Sequence, residues 1–305
     1  MRTICVTGGN GLLGSKVLSA ACGMYRLISI DLRKAPTVWY DNLEYIQGDV
    51  TDRKSIYDQI ARSRSDCVIH TAAFTDVDGC EKEKEKAWRV NVCGTENVAL
   101  ACKALGAKMI HLSSDYVFDG KDGPYGEDDE PNPISFYGKM KLESERIIRN
   151  ILENFVIART MVLYGYSPGV RMNFVTWLID KLSRGEKVQV VMDQYGTPTL
   201  ADDLAKILVI LFQKDGQGIY HTAGREWISR YNFAQRVAEI FNMDSSLIVK
   251  TMSDCLKQQA PRPLMSGLKI DKICQEMGAT FQSVKESLFT MKHQMEEAGL
   301  DLQKH

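Results

Sequence analysis

Residues Thr7 to Gly14, TGGNGLLG, constrain this chain more than any other stretch. They follow a short apolar run, TICV, and open a segment of helical periodicity, so they read as strand, tight turn and helix. The spacing satisfies both G-x-G-x-x-G from Gly9 and T-G-x-x-G-x-x-G from Thr7. Glycines there let a backbone approach a pyrophosphate, whose charge then rests on the amides at the helix start. Gly8, Asn10, Gly11, Leu12, Leu13 and Gly14 are the contact residues this implies. A second apolar run, YRLISID, ends in Asp31, where a carboxylate can hold the adenosine ribose hydroxyls of a dinucleotide. That favours NADH. Arg33 follows at once, and a guanidinium there can hold a 2′-phosphate, so NADPH stays open.

The alternation continues with EYIQGDV (44–50), a polar helix from Asp52, and CVIHTAA (67–73), whose nearly continuous apolar character suits a parallel strand covered on both faces. Alternating strands and helices imply right-handed crossovers. The fold class is α/β: a Rossmann-type doubly wound parallel sheet, with a smaller mixed α/β C-terminal substrate-binding region. Asp49 and Val50 at one strand end are placed to flank the adenine, and Ala72 and Ala73 at another leave room for cofactor backbone. EKEKEK (81–86) reads as the solvated start of a helix running to a stop at Gly106. Within it, Asn91 either positions backbone or water near the active centre or satisfies a buried carbonyl.

Past this helix, HLSSDYVFDG reads as a buried strand running out to Ser113, Ser114 and Asp115, and after a polar loop ISFYGKMKLESE forms a helix carrying Tyr137 and Lys141. Four residues apart on a helix means one shared face. A hydroxyl, a phenol and an ammonium together can protonate a carbonyl oxygen while hydride arrives at its carbon. Tyr-x-x-x-Lys alone is a weak signal. Its weight comes from the SSD strand end before it and the glycine loop upstream.

FVIARTMVLYG (155–165) supplies another buried strand, after which GYSPGVRMNF breaks the alternation. VQVVMDQYGTPT (188–199) reads as a short strand with a turn-rich loop, LADDLAKILVILF as a returning helix and GIYHTAG as a strand. Helices are expected at 230–242, 269–277 and 283–298, with a strand near 247–251. The division is then 1–162 for dinucleotide binding, with return segments near 187–222, and 163–186 with 223–305 for substrate. Arg262 in APRP either meets a phosphate or is an exposed loop charge.

Lys plus Arg 38 against Asp plus Glu 39 leaves a net charge of −1, which argues against a nucleic-acid partner. No apolar run approaches the roughly 20 residues of a membrane span, and the N-terminus lacks a secretory pattern, so a soluble, cytoplasmic protein without a membrane partner is expected. The eight cysteines form no C-x-x-C pair and read as reduced thiols. His70, His111, His221, His293 and His305 show no metal-binding spacing, so no metal is expected, and His70 and His111 read as core histidines.

TGGNGLLG, Asp31, TAAFTDVDGCE, SSDYVFDG with YGKMK, and DQYGTPT with APRP together resemble the extended short-chain dehydrogenase/reductases, most of all the dTDP-4-dehydrorhamnose reductase branch. The resemblance implies that Ser114, Tyr137 and Lys141 occupy catalytic positions, with Lys141 also on the nicotinamide ribose. It implies that Thr75, Asp115, Tyr116, Asn173, Gln194 and Arg262 lie near a nucleotide-sugar substrate. The implied activity is NADPH- or NADH-dependent reduction of a 4-keto-6-deoxy sugar nucleotide. A sugar-nucleotide epimerase or dehydratase that retains NAD, and a non-catalytic regulatory subunit like the methionine adenosyltransferase beta subunit, are the alternatives. Many relatives pair helices 85–105 and 135–151 between subunits, so a homodimer is a further expectation. One departure stands out: Val162 sits where many rhamnose-pathway reductases carry tryptophan.

Overall fold

The computed structural model describes residues 1–256 and 258–300, so position 257 and the last five residues of the expected substrate region, His305 among them, lie outside the described residues. The chain runs β1 (Thr3–Thr7), α1 (Leu12–Ala21), β2 (Arg26–Asp31), β3 (Leu43–Gln47), α2 (Arg53–Ser63), β4 (Cys67–His70), α3 (Val77–Lys82), α4 (Lys84–Trp88), α5 (Gly94–Leu105), β5 (Lys108–Ser114) and α6 (Phe136–Ile151). It continues with β6 (Phe155–Thr160), β7 (Leu163–Tyr164), α7 (Phe174–Ser183), β8 (Val188–Val191), β9 (Tyr195–Gly196), β10 (Thr199–Leu200), α8 (Ala201–Gln213), β11 (Gly218–His221), β12 (Ile228–Ser229), α9 (Arg230–Phe241), β13 (Ile248–Thr251), α10 (Asp271–Met277) and α11 (Val284–Glu297).

Seven strands form one parallel sheet in the order β11-β6-β5-β4-β1-β2-β3. Wholly buried runs such as TICVT and CVIH leave no solvent face, so both sides must be covered by helices. One apolar layer joins Val17 and Leu18 of α1 to Leu204 and Leu208 of α8. The opposite layer joins Ile56 and Ile60 of α2 to Val98 and Cys102 of α5. The winding direction reverses between β1 and β4, so the carboxyl ends of those strands open a crevice where ligands bind in such folds. A third core, built from α7, α9, α11, β8 and β13, includes Leu178, Phe233, Phe241 and Leu288.

Three local expectations differ from what is observed. The helix expected from residue 81 already begins at Val77, capped by Asp76, which accepts from the Gly79 amide. It is interrupted at Glu83 and widens into a π-helical turn over Arg89–Cys93 before α5. The strand expected over 155–165 stops at Thr160, because Val162 takes a φ of +44° that no strand can continue through. The strand at Val188–Val191, expected among the segments returning to the main sheet, pairs with β13 in a sheet of its own.

Candidate functional site

The glycine loop is shaped by backbone crowding. Gly8 has a φ of +79°, and a Cβ there would lie 2.7 Å from the Ala72 amide nitrogen, while a side chain at Gly14 would collide with the Gly8 carbonyl. Gly11 caps α1 with extended backbone and no side-chain hydrogen bond, so the amides of Leu12, Leu13 and Gly14 begin the helix without a side-chain acceptor. This cradle, free of Cβ atoms, fits the pyrophosphate of a dinucleotide.

Asp31 ends β2 beside it, accepting from the Asn10 amide at 3.1 Å and the Arg33 amide at 3.0 Å. The Asn10 side chain turns away from the loop, donating to the Ala35 carbonyl and the Tyr45 hydroxyl and accepting from the Thr37 amide. It braces the segment after β2. Arg33 donates to the Gly169 carbonyl at 3.0 Å. Ser15 donates to Ser167 at 3.0 Å, and Arg171 reaches Asp76 at 3.3 Å. The GYSPGVRMNF loop therefore runs as a strap from the glycine-loop side of the crevice to the segment after β4. Asp49 closes a turn onto the Thr51 amide, and Val50 is buried against Gly94. Ala72 and Ala73 are half-buried at the β4 end. The cofactor candidates thus share one edge of the sheet.

Ser114 ends β5, and a 3-10 turn, Asp115–Val117, follows. Ser135 caps α6 by accepting from the Gly138 amide. Gly138 is required where it stands, since a Cβ would strike the Tyr116 carbonyl. That approach sets Tyr137 edge-on to Tyr116, ring centres 5.4 Å apart. Ser114 donates to Asp115 at 3.0 Å and accepts from the Tyr116 amide. Lys141 donates to the Leu112 carbonyl at 2.8 Å, with its Nζ 5.8 Å from the Tyr137 ring centre.

Burial pushes the Tyr137 phenol well above its ordinary range, with Cys80, Tyr116 and Asp115 adding to the rise and the Ser114 hydrogen bond opposing it. In this structure the phenol holds its proton, because burial outweighs any influence of the lysine. Burial lowers Lys141 to about 8, against the opposing pull of Glu145 and Cys80. Burial raises Asp115 to about 6, opposed by hydrogen bonds from Ser266 and Ser114.

Beneath these groups lies a network that sequence reasoning missed. Glu145, one turn beyond Lys141, is 2% exposed and accepts from Arg159 at 2.9 and 2.7 Å and from Ser113 at 2.5 Å. An arginine inside the apolar run FVIARTM was the available signal, since a buried guanidinium needs a carboxylate. Asn91 is bonded to both backbone groups of Phe74, its side chain holding the β4–α3 segment in place. His70 bonds Thr7 and Thr95 and stacks on His111, and burial holds both imidazoles neutral. All eight cysteines are free, and among the described residues no cluster of three metal-ligating side chains exists.

Of the substrate candidates, Asp115, Tyr116 and Gln194 line one pocket, together with Val162 and Arg230. Gln194 donates to Ser253 and Gln258. Arg262 pairs with Asp78 at 3.0 Å. Asn173 caps α7 and donates to the Gly165 carbonyl at 2.7 Å, outside the pocket lining, and Thr75 is exposed on the loop after β4. Arg230 was not singled out in the sequence. Its signal was a cation in the first turn of a helix, where the helix dipole disfavours positive charge. Val162 adds a β-branched residue in the left-handed region, at a cost of roughly 1–2 kcal/mol.

The RmlD substrate binding domain family matches residues 1–297. A probable low-salt glycan biosynthesis reductase of Haloferax volcanii is 32% identical over 297 residues, covering 94% of this chain and 96% of that protein. Methionine adenosyltransferase 2 subunit beta of Xenopus tropicalis is 33% identical over 301 residues, covering 94% and 87%. The structure of dTDP-4-dehydrorhamnose reductase from Bacillus anthracis in complex with NADP aligns with a TM-score of 0.84 at 28% identity, covering 96% of this chain and 100% of that one. No helix among the described residues is long and apolar enough to cross a membrane. On a match spanning nearly its whole length, over a parallel seven-stranded Rossmann-type sheet, the chain belongs to the RmlD substrate binding domain family.

Proposed function

We propose that this protein is an NADPH- or NADH-dependent reductase of the 4-keto group of a nucleotide-activated 6-deoxy sugar, serving activated-sugar biosynthesis in the cytoplasm. The observation that carries the reading is the convergence of Ser114, Tyr137 and Lys141 at the carboxyl end of β5, on the same sheet edge as the glycine cradle. Bound dinucleotide supplies the hydride. Tyr137, kept protonated by burial, donates its proton to the carbonyl oxygen, and Ser114 hydrogen-bonds that oxygen. Lys141, fixed on the Leu112 carbonyl, offers its remaining N–H groups to the nicotinamide ribose and to the phenol oxygen as charge develops there. Gly8, Gly11 and Gly14 hold the pyrophosphate, Asp31 the adenosine ribose, and Asp115, Tyr116, Gln194 and Arg262 surround the nucleotide sugar. Self-association through α5 and α6 belongs to the same proposal and is read by analytical ultracentrifugation.

The test is oxidation of NADPH and of NADH, followed by the loss of their absorbance, across several 4-keto-6-deoxy sugar nucleotides. Turnover with at least one supports the reading. Tightly held NAD with no net oxidation would instead indicate an epimerase or dehydratase, and bound cofactor with no turnover of any kind would indicate a regulatory subunit.

A further inference from the structure

Among the described residues, one cation lining the pocket has no hydrogen-bonding or ion-pair partner for its side chain. Arg230 opens α9 after the Ser229 cap and lines the pocket with Asp115, Tyr116 and Gln194. Its backbone amide donates to the Gln194 carbonyl at 2.8 Å. Its guanidinium lies over Phe174, 4.9 Å from the ring centre, and makes no hydrogen bond or ion pair among the described residues. Arg262 differs, being neutralised by Asp78.

Three forces work against an unpaired charge at this place. The N-terminal end of a helix repels a cation. Burial disfavours the charged guanidinium, and Arg262 adds repulsion. Asp115 and Tyr116 act on it only across a gap, and both Asp115 oxygens are held by hydroxyls, those of Ser114 and Ser266. A substrate anion would relieve all three. Phe174 under the guanidinium plane favours an acceptor at its edge, the geometry in which arginine grips phosphate or carboxylate.

Resting on the nucleotide-sugar reading above, we propose that Arg230 is a specificity-determining residue that binds an anionic oxygen of the substrate, from its diphosphate or from a carboxylate on its sugar. Arg262, held by Asp78, then borders this subsite, and Arg230 supplies the uncommitted charge.

The experiment titrates dTDP, UDP, UDP-glucose and UDP-glucuronate calorimetrically into full-length, NADPH-loaded protein, with Arg230→Gln and Arg230→Lys beside the wild type. Arg230→Gln should weaken binding by about 10- to 100-fold, with partial recovery in Arg230→Lys and unchanged NADPH affinity as the check on folding. A loss shared by every probe assigns the diphosphate, and a loss confined to UDP-glucuronate assigns the sugar carboxylate. Equal affinities in wild type and Arg230→Gln for every probe would overturn the role of Arg230 and leave the reductase reading standing. Failure of the wild type to bind any probe would overturn the Arg230 subsite, whereas the reductase reading falls only if no 4-keto sugar nucleotide is turned over.

Discussion

Lys141 and Tyr137 share one face of α6 without a hydrogen bond between them: the lysine Nζ lies 5.8 Å from the centre of the tyrosine ring and donates instead to the Leu112 carbonyl at 2.8 Å. The backbone of β5 thus fixes where the ammonium sits, and the phenol faces Tyr116 and Ser114. The pair is organised by the strand as much as by the helix.

Lys141 carries a pH signature of its own. With its value lowered to about 8, the ammonium is charged below that pH and neutral above it, so kcat/KM should fall as pH rises through about 8. Stability should move the other way. The unfolded chain binds the proton more tightly than the fold does, so unfolding free energy rises with pH from about 8 towards the ordinary lysine value of 10.5. Lys141→Met should remove both trends and lower kcat by about 10²- to 10⁴-fold. A pH–rate profile and urea melts across this range check it.

Glu145 should matter twice. Its ion pair with Arg159 is fully buried, so Glu145→Ala leaves an uncompensated guanidinium and should destabilise the fold by about 3–5 kcal/mol, measured by urea unfolding. Glu145 also helps keep Lys141 charged. In the milder Glu145→Gln the alkaline limb of the pH–rate profile should therefore shift to lower pH, which a purely structural role would not produce.

Asp115 should show the opposite linkage from an ordinary carboxylate. Its folded value of about 6 lies above the ordinary aspartate value of 3.8, so the fold binds the proton more tightly and stability falls as pH rises between those values. Asp115→Asn should erase that part of the slope. The difference in unfolding free energy, variant minus wild type, should grow in the variant's favour between pH about 4 and about 7.

The parts of this molecule that depend on local pattern were legible in the sequence. The strand–glycine–helix opening, Asp31, and Ser114 with Tyr137 and Lys141 each rest on a few neighbouring residues whose spacing dictates geometry. What escaped was set by contacts between distant segments. Nothing near Asn10 reveals that its amide would serve Ala35 and Tyr45. The widened turn at Arg89–Cys93 contains no glycine or proline to mark it. The pairing of β8 depends on β13, some sixty residues away, as the register of Val188 with Ile248 shows. Arg230 and Arg159 were visible as charges in unfavourable places, and that sign of misfit was the usable clue.

The most direct test of the account is Tyr137→Phe, which removes one hydroxyl from a packed side chain. Cofactor affinity, followed by fluorescence titration of NADPH, should stay within about twofold of the wild type, and single-turnover hydride transfer to a 4-keto sugar nucleotide should fall by at least about 10²-fold. Hydride transfer at the wild-type rate in this variant would contradict the assignment of Tyr137 as proton donor and, with it, the chemistry built around it.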